Sequence, residues 1–369
     1  MSFEGIDGLL IRGVLQGPLR PGLLGEGPGS PDPLECLRPV RTVFGPPRDT
    51  TDMPDIVVRR HSVHGMAVDQ YASALRERLP DHEVAVARTP AGERDLVADA
   101  TVLTGTNIDQ SLLERAGSLR LFASSYAGYD HLPLDALAER GVTLTSAAGV
   151  HGPNVAEYVV GAWLSQARGF LRARRQQRDG VWQAFQADDF AGSRVCVVGL
   201  GAIGEAIVAR LSGFDVETVA VRHSPEKGAA TDEVYGYDEM HEAVANASYV
   251  ALACPLTEET RGLVDRTLLR TIRPDGVLVN VARGPVVDTD ALVDALGRNY
   301  LGGAVLDVTD PEPLPGDHPL WDFENVLLTP HNAGHTPEYY ERLADIVAEN
   351  VRRAEESGSW DGLRNQVDL

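Results

Sequence analysis

Hydrophobic positions fall into two regimes along this chain. From Met53 onward, short apolar runs alternate with stretches whose apolar residues recur every three or four positions; before Met53 there is no such order. The short runs are β-branched and nearly uniform, the pattern of strands buried on both faces. They predict strands at Ile56–Val58, Glu83–Ala87, Ala100–Leu103, Leu119–Ala123 and Thr143–Thr145. Tyr71–Leu79, Leu112–Ala116 and Leu134–Arg140 lie between them and read as helices. Asn154 is placed to cap a long helix running to about Arg175, with Val155, Tyr158, Val159 and Ala162 on one apolar face. A second series of strands follows at Val195–Val198, Thr218–Val221, Tyr249–Ala253, Val277–Asn280, Gly303–Asp307 and Val326–Leu328, before a last helix at Glu338–Ser357. Repeated β-α-β order predicts an α/β protein of two lobes, each a mainly parallel sheet with helices on both faces.

The turn after Val198 reads Gly199-Leu200-Gly201-Ala202-Ile203-Gly204, and Glu205–Leu211 continues as a helix with Ile203, Ile207 and Leu211 on one face. Strand, glycines and helix come in the order a dinucleotide site requires. Gly199 allows the tight turn, Gly201 lets the backbone approach a pyrophosphate, and Gly204 lets helix and strand pack closely. The helix N-terminus offers unpaired N–H groups to the anion. A tight strand-to-helix turn in another α/β protein can carry the same glycines, so the context gives the motif its weight. The second strand of such a lobe ordinarily ends in an acid that grips the ribose hydroxyls. Here Thr218–Val221 is followed by Arg222-His223-Ser224. A cation and a hydroxyl attract a 2′-phosphate that an acid would repel. The reading is NADP(H) as preferred cofactor with NAD(H) as the alternative; the plainer reading makes Arg222 a solvated strand-end residue stacking on adenine.

Composition narrows the class. Residues 1–52 hold 17 Gly or Pro, which predicts a disordered extension without catalytic duty. The net charge of −21 argues against nucleic acid and against an anionic membrane surface as partners. No run of about 18 apolar residues predicts a membrane span, and no basic stretch precedes an apolar one at the start as in a signal peptide. Lys227 is the only lysine among 33 Lys plus Arg. Acid excess without lysine fits a halophilic cytoplasm, as it fits a genome rich in arginine codons. Cys36, Cys196 and Cys254 are odd in number and match no metal spacing, so a reducing cytoplasmic compartment is expected.

Three stretches of the second lobe carry reactive side chains just past strands: Arg283 in "VLVNVARGPVVD", Asp307 and Glu312 in "AVLDVTDPEPLP", and His331 in "VLLTPHNAGHT". In an open parallel sheet this is the edge where ligands bind. Singly each fits a surface or loop role. Together they supply a carboxylate clamp, a proton donor and a partner that tunes the donor, the needs of 2-oxo acid reduction. His331 and His335 lie four apart, but Pro330, Gly334 and Pro337 oppose the helix that a metal pair would need, so no metal is expected.

These stretches, with "CPLTEETRGLVD" and the glycine loop, resemble the D-isomer-specific 2-hydroxyacid dehydrogenases from about residue 54 to the end. The resemblance implies a Rossmann-type dinucleotide lobe (153–335) inserted in a flavodoxin-like substrate lobe (53–152 plus 336–369). It implies that Arg283 binds the substrate carboxylate and carbonyl, that His331 is the acid/base, and that Glu312 holds His331 and favours its charged form. It also places the amides of Ala127 and Gly128 on the substrate carboxylate, and Cys254, Pro255, Val281, Ala282 and Asp307 against the cofactor. Tyr126, His151 and Trp321 are expected to shape the pocket, although His151 reads equally as a plain loop residue. The expected activity is hydride transfer between the nicotinamide and a small 2-oxo or 2-hydroxy acid, in a homodimer built through the dinucleotide lobe. A dinucleotide-sensing protein of the same fold, like the corepressors that share it, is the alternative. Formate oxidation is disfavoured, because that branch resembles this pattern with Gln where Glu312 stands.

Overall fold

The computed structural model describes residues 55–369; the Gly/Pro-rich extension and Cys36 lie outside the described residues. The first series of elements is β1 (Ile56–Val58), α1 (Val68–Arg78), β2 (Val84–Val86), α2 (Pro90–Leu96), β3 (Val102–Gly105), α3 (Gln110–Leu113), β4 (Leu121–Ser124), α4 (Leu134–Glu139) and β5 (Thr143–Thr145). Its five strands pair in the order β2-β1-β3-β4-β5, all parallel. β1, β3 and β4 are buried along their whole length, which is why they read as unbroken apolar runs.

Two helices follow, α5 (Gly152–Ala167) and α6 (Phe170–Arg178), then β6 (Arg194–Val198), α7 (Ala202–Leu211), β7 (Glu217–Val221), β8 (Glu233–Tyr235) and α8 (Met240–Val244). β9 (Tyr249–Leu252), α9 (Arg266–Thr271), β10 (Val277–Asn280), α10 (Thr289–Gly297), β11 (Gly303–Leu306), β12 (Val326–Leu328) and α11 (Tyr339–Ser357) complete the chain. The second sheet has seven parallel strands in the order β12-β11-β10-β9-β6-β7-β8. The order reverses between β6 and β9, the switch point where an open α/β sheet forms its crevice.

The expected single helix from Asn154 to Arg175 is corrected twice. The helix begins earlier, because Pro153 fits its first turn, so His151 stands at the N-cap and Asn154 lies inside. It then breaks at Gly169, whose φ of +64° no helix continues. The helix after the glycine loop starts at Ala202 rather than Glu205. α2, α8, α9, α10 and β8 add to the elements expected from periodicity.

α11 belongs to the first lobe's core. Its buried face, including Tyr339, Tyr340, Leu343 and Val347, packs with Tyr71, Ala72 and Leu75 of α1. The Tyr71 and Tyr340 rings stack at 5.1 Å. The chain therefore crosses between the lobes twice, before α5 and again before α11. The crossings are tied together: Asn154 Nδ2 donates to the Ala333 carbonyl at 2.8 Å and His151 Nδ1 lies 3.0 Å from the Gly334 carbonyl. Arg342 donates at 3.0 Å to both the Val150 carbonyl and Asn154 Oδ1.

Candidate active site

The loops at the carboxyl ends of β6, β7, β9, β10, β11 and β12 bring together nearly every residue singled out above. Gly199 has φ +97°, and a Cβ there would stand 2.5 Å from the Cys254 backbone nitrogen. A Cβ at Gly204 would fall on the Gly199 carbonyl oxygen, whereas one at Gly201 meets nothing within 4 Å. Gly199 and Gly204 thus serve packing, and Gly201 leaves an open backbone face beside the α7 N-terminus, where Ala202 and Ile203 form the first turn.

Gly199 and Gly201 border a cavity of about 640 Å³ that also holds Arg222, His223, Ser224 and Lys227. Arg222 follows β7; its N–H donates to the Tyr235 carbonyl at 3.0 Å and its guanidinium to the Gly228 carbonyl at 2.7 Å. Lys227, absent from the expected set, adds a second cation. The signal was available, since it is the chain's only lysine and lies five residues past Arg222. Glu258 and Glu259 face this group across the cavity, and Glu259 lies 3.2 Å from His223 Nδ1.

Pro255 lines the same cavity, but Cys254 is buried and burial pushes its thiol up to about 11. Cys196 is buried within β6 and pushed up to about 12 for the same reason. Neither is a nucleophile near neutral pH.

A second cavity, of about 560 Å³, lies between the lobes. It is lined by Val281, Arg283, Asp307 and His331 from one side and by Tyr126, Ala127, Gly128 and His151 from the other. Ala282 is buried beside it and its carbonyl accepts from Arg283 Nη1 at 2.7 Å. The Arg283 backbone is held by buried Asn280, whose Oδ1 accepts from the Ala282 N–H at 3.0 Å and whose Nδ2 donates to the Arg283 carbonyl at 3.1 Å. This residue was not anticipated, because a polar strand-end residue gives no periodic signal.

His331 is fixed from several directions. Its Nδ1 lies 2.6 Å from Glu312 Oε1. With the carboxylate accepting from Nδ1–H, Nε2 is the second ring nitrogen available for proton exchange. Its backbone has φ +53°, a sparsely populated conformation outside glycine. Asp307 holds that shape: it is 4% exposed and accepts from the Asn332 N–H at 2.9 Å, the Ala333 N–H at 3.0 Å and the Thr329 hydroxyl at 2.6 Å. The Tyr158 hydroxyl, 2.6 Å from Thr329 Oγ1, continues the chain from α5. Asp307 lines the cavity, yet its oxygens are engaged with the histidine's own loop.

Trp321 lines an apolar pocket with Glu312, Leu314, Leu328 and Pro330 that adjoins the central cavity at Asp307 and His331, while Tyr126 and His151 line the central cavity itself. Three further histidines, His64, His131 and His335, line that cavity, and no motif placed them there. Among the described residues no group of three or more His, Cys, Asp or Glu side chains is arranged to hold a metal ion, and no helix is long and apolar enough to cross a membrane.

Residues 160–333 match the family described as D-isomer specific 2-hydroxyacid dehydrogenase, NAD binding domain. A glyoxylate reductase of Thermofilum pendens is 36% identical over 268 residues, covering 70% of this chain and 78% of its own. The chain belongs to the D-isomer specific 2-hydroxyacid dehydrogenase family. An (S)-sulfolactate dehydrogenase of Chromohalobacter salexigens is 34% identical, over 75% of this chain and 89% of its own. The solved D-isomer specific 2-hydroxyacid dehydrogenase of Xanthobacter autotrophicus Py2, in complex with NADPH and MES, superposes with a TM-score of 0.69. It is 28% identical and the match covers 85% of this chain and 98% of that one. This is therefore an oxidoreductase of small 2-hydroxy and 2-oxo acids with a nicotinamide dinucleotide cofactor.

Proposed function

We propose that this dehydrogenase reduces a small 2-oxo acid with NADPH in preference to NADH, using His331 as the acid/base. The observation that carries the reading is the His331–Glu312 pair at 2.6 Å on the wall of the cavity that Arg283, Ala127 and Gly128 share. The dinucleotide supplies hydride. Arg283 and the open amides of Ala127 and Gly128 hold the substrate carboxylate, with the planar guanidinium favouring two-point contact. The developing oxyanion takes its proton from Nε2 of His331, and Glu312 stabilises the imidazolium before transfer and keeps the ring oriented afterwards. Asn280 and Asp307 position the two groups without touching the reacting atoms.

The cofactor lobe is 153–335 and the substrate lobe 53–152 plus 336–369 in this reading. Arg222, Ser224 and Lys227 hold the 2′-phosphate, and His223 flanks it. Cys254, Pro255, Val281 and Ala282 form the remaining wall against the dinucleotide. NAD(H) fits the same cleft without those charge contacts. The exposed Phe170, Val181 and Trp182 after α5 support a homodimer, since apolar side chains so placed are covered by a second copy. A monomer by light scattering at micromolar concentration would exclude it. Acid excess and reduced cysteines support a cytoplasmic, halophilic setting.

Steady-state oxidation of NADPH and NADH with a panel of 2-oxo acids tests the whole. Turnover with a kcat/KM about 10- to 100-fold higher for NADPH at low salt is expected. Tight dinucleotide binding with no turnover of any acid would instead favour the sensor reading.

A further inference from the structure

We propose that His64, His151 and His335 form a seat for a second anionic group on the substrate, so that the enzyme selects 2-oxo acids bearing a distal anion. This rests on the 2-oxo acid reading of the same cavity and names its substrate class.

The seat is built from three separate segments. His64 comes from the loop after β1, His151 from the cap of α5, and His335 from the crossing before α11. The His64 and His335 rings lie 4.1 Å apart and the His64 and His151 rings 5.4 Å apart. All three line the cavity that holds Arg283 and His331. His64 has φ +52°, and its Nδ1 is buried without a hydrogen-bond partner. A histidine kept only for packing is ordinarily satisfied; this one is half-buried, has a left-handed backbone, and leaves its buried Nδ1 unpaired. His151 donates Nδ1–H to the Gly334 carbonyl at 3.0 Å, which directs its second nitrogen elsewhere.

Charge distribution points to an anion. The cavity wall holds five of the chain's ten histidines and Arg283, in a protein of net charge −21. Its carboxylates are Asp130 and Asp307, and the second is consumed by three hydrogen bonds from its neighbouring loop. The groups packed around His64 are mostly committed elsewhere. Arg60 lies 3.7 Å from Glu93, Glu341 lies 3.0 Å from Arg78, and Arg342 is bound to Val150 and Asn154. The exposed Glu338 and the ring of Tyr339, 4.8 Å from that of His64, also stand beside it. Burial and then the neighbouring His335, His151 and His331 push His64 down to about 4, and burial chiefly lowers His151. With the seat empty the imidazoles repel one another's protons; an anion between them removes that penalty, so its binding takes up protons. Affinity for the distal anion therefore falls as pH rises.

The test pairs acids of equal carbon count: oxaloacetate against 2-oxobutyrate, and 2-oxoglutarate against 2-oxopentanoate, at pH 6 and pH 8 with saturating NADPH. A dianionic preference in kcat/KM of about tenfold or more is expected, the scale of one charge-assisted hydrogen bond, and it should shrink at pH 8. His64→Asn, which tolerates the left-handed backbone, and His335→Gln should each lower that ratio about tenfold, with thermal melting to confirm that each variant folds. Equal use of both members of each pair, or a preference untouched by both substitutions, overturns the seat while leaving 2-oxo acid reduction standing. No turnover of any of the four acids with either cofactor overturns the 2-oxo acid reading itself, and the seat with it.

Discussion

The loops after β12 and β7 carry the two functional clusters, and they are held in opposite ways. The His331 loop is fixed from inside: a buried carboxylate, Asp307, accepts three hydrogen bonds from it and sustains a left-handed backbone at the histidine. The Arg222 loop is held near the surface, by a backbone bond to Tyr235, a guanidinium bond to Gly228 and a contact from exposed His223 to Glu259, with Lys227 exposed. Proton transfer depends on placement to a fraction of an ångström, so its loop is braced. Recognition of a phosphate by several cations depends on summed charge, which tolerates slack and is weakened by salt. Damage to the first loop should therefore show as lost rate, and damage to the second as altered preference.

The largest expected effect breaks the braced side. His331→Ala should lower kcat by about 10²–10⁴-fold while dinucleotide binding, followed by nicotinamide fluorescence, persists. A near-parental rate would mean that another group delivers the proton. Arg222→Asp tests the other side: a parental NADPH preference of about 10- to 100-fold in kcat/KM should reverse, because an acid accepts from ribose hydroxyls and repels the phosphate. The preference should also shrink in molar salt, whereas the rate defect of His331→Ala should not recover there. Preference unchanged by Arg222→Asp would make Arg222 a surface residue.

Smaller effects sharpen the contrast. Asp307→Asn replaces one acceptor with a donor facing the Thr329 or Ala333 group, at a cost of about 1–3 kcal/mol. It should lower both the melting temperature and kcat, without changing cofactor preference. An unchanged kcat would show that the brace is structural only. The smallest effect concerns pH. His64 is held down near 4, so between about pH 6.5 and about 4 the unfolded chain binds a proton there that the folded chain does not. Stability is thus lost as pH falls through that window. His64→Asn should flatten the acid side of a melting-temperature profile, and the difference between the two profiles isolates this histidine from carboxylates such as Asp109 and Asp265. Parallel profiles would argue that His64 keeps its proton in the folded state.

Much of this was legible in the chain because the strands read as short apolar runs and the reactive residues follow them closely. β6, β7, β10 and β12 read as such runs, and Gly199, Arg222, Arg283 and His331 stand within three residues of their ends. The helices on the sheet's outer faces were harder. α8 and α9 are five and six residues long, too short for a period to declare itself. Asn154 looked like a cap from its residue type alone, but its partners, Ala333 and Arg342, lie about 180 residues away in sequence. The same holds for the histidine cluster and for Asp307. Their roles are set by tertiary partners, and a local pattern carries no trace of those.

The tie between the two crossings has a mechanical consequence. A single connecting segment would let the lobes bend and twist freely. Two segments pinned to each other through His151, Asn154 and Arg342 behave as the two leaves of one hinge, which leaves swinging about the line through them as the softest motion. His331 sits two residues from the pinned Ala333, on the cofactor-lobe side of the cleft. Ala127 and Gly128 stand on the opposite wall of the cleft. Opening the cleft would then move Ala127 and Gly128 relative to Arg283 and His331, so the cleft's width can change while the His331–Glu312 pair keeps its geometry.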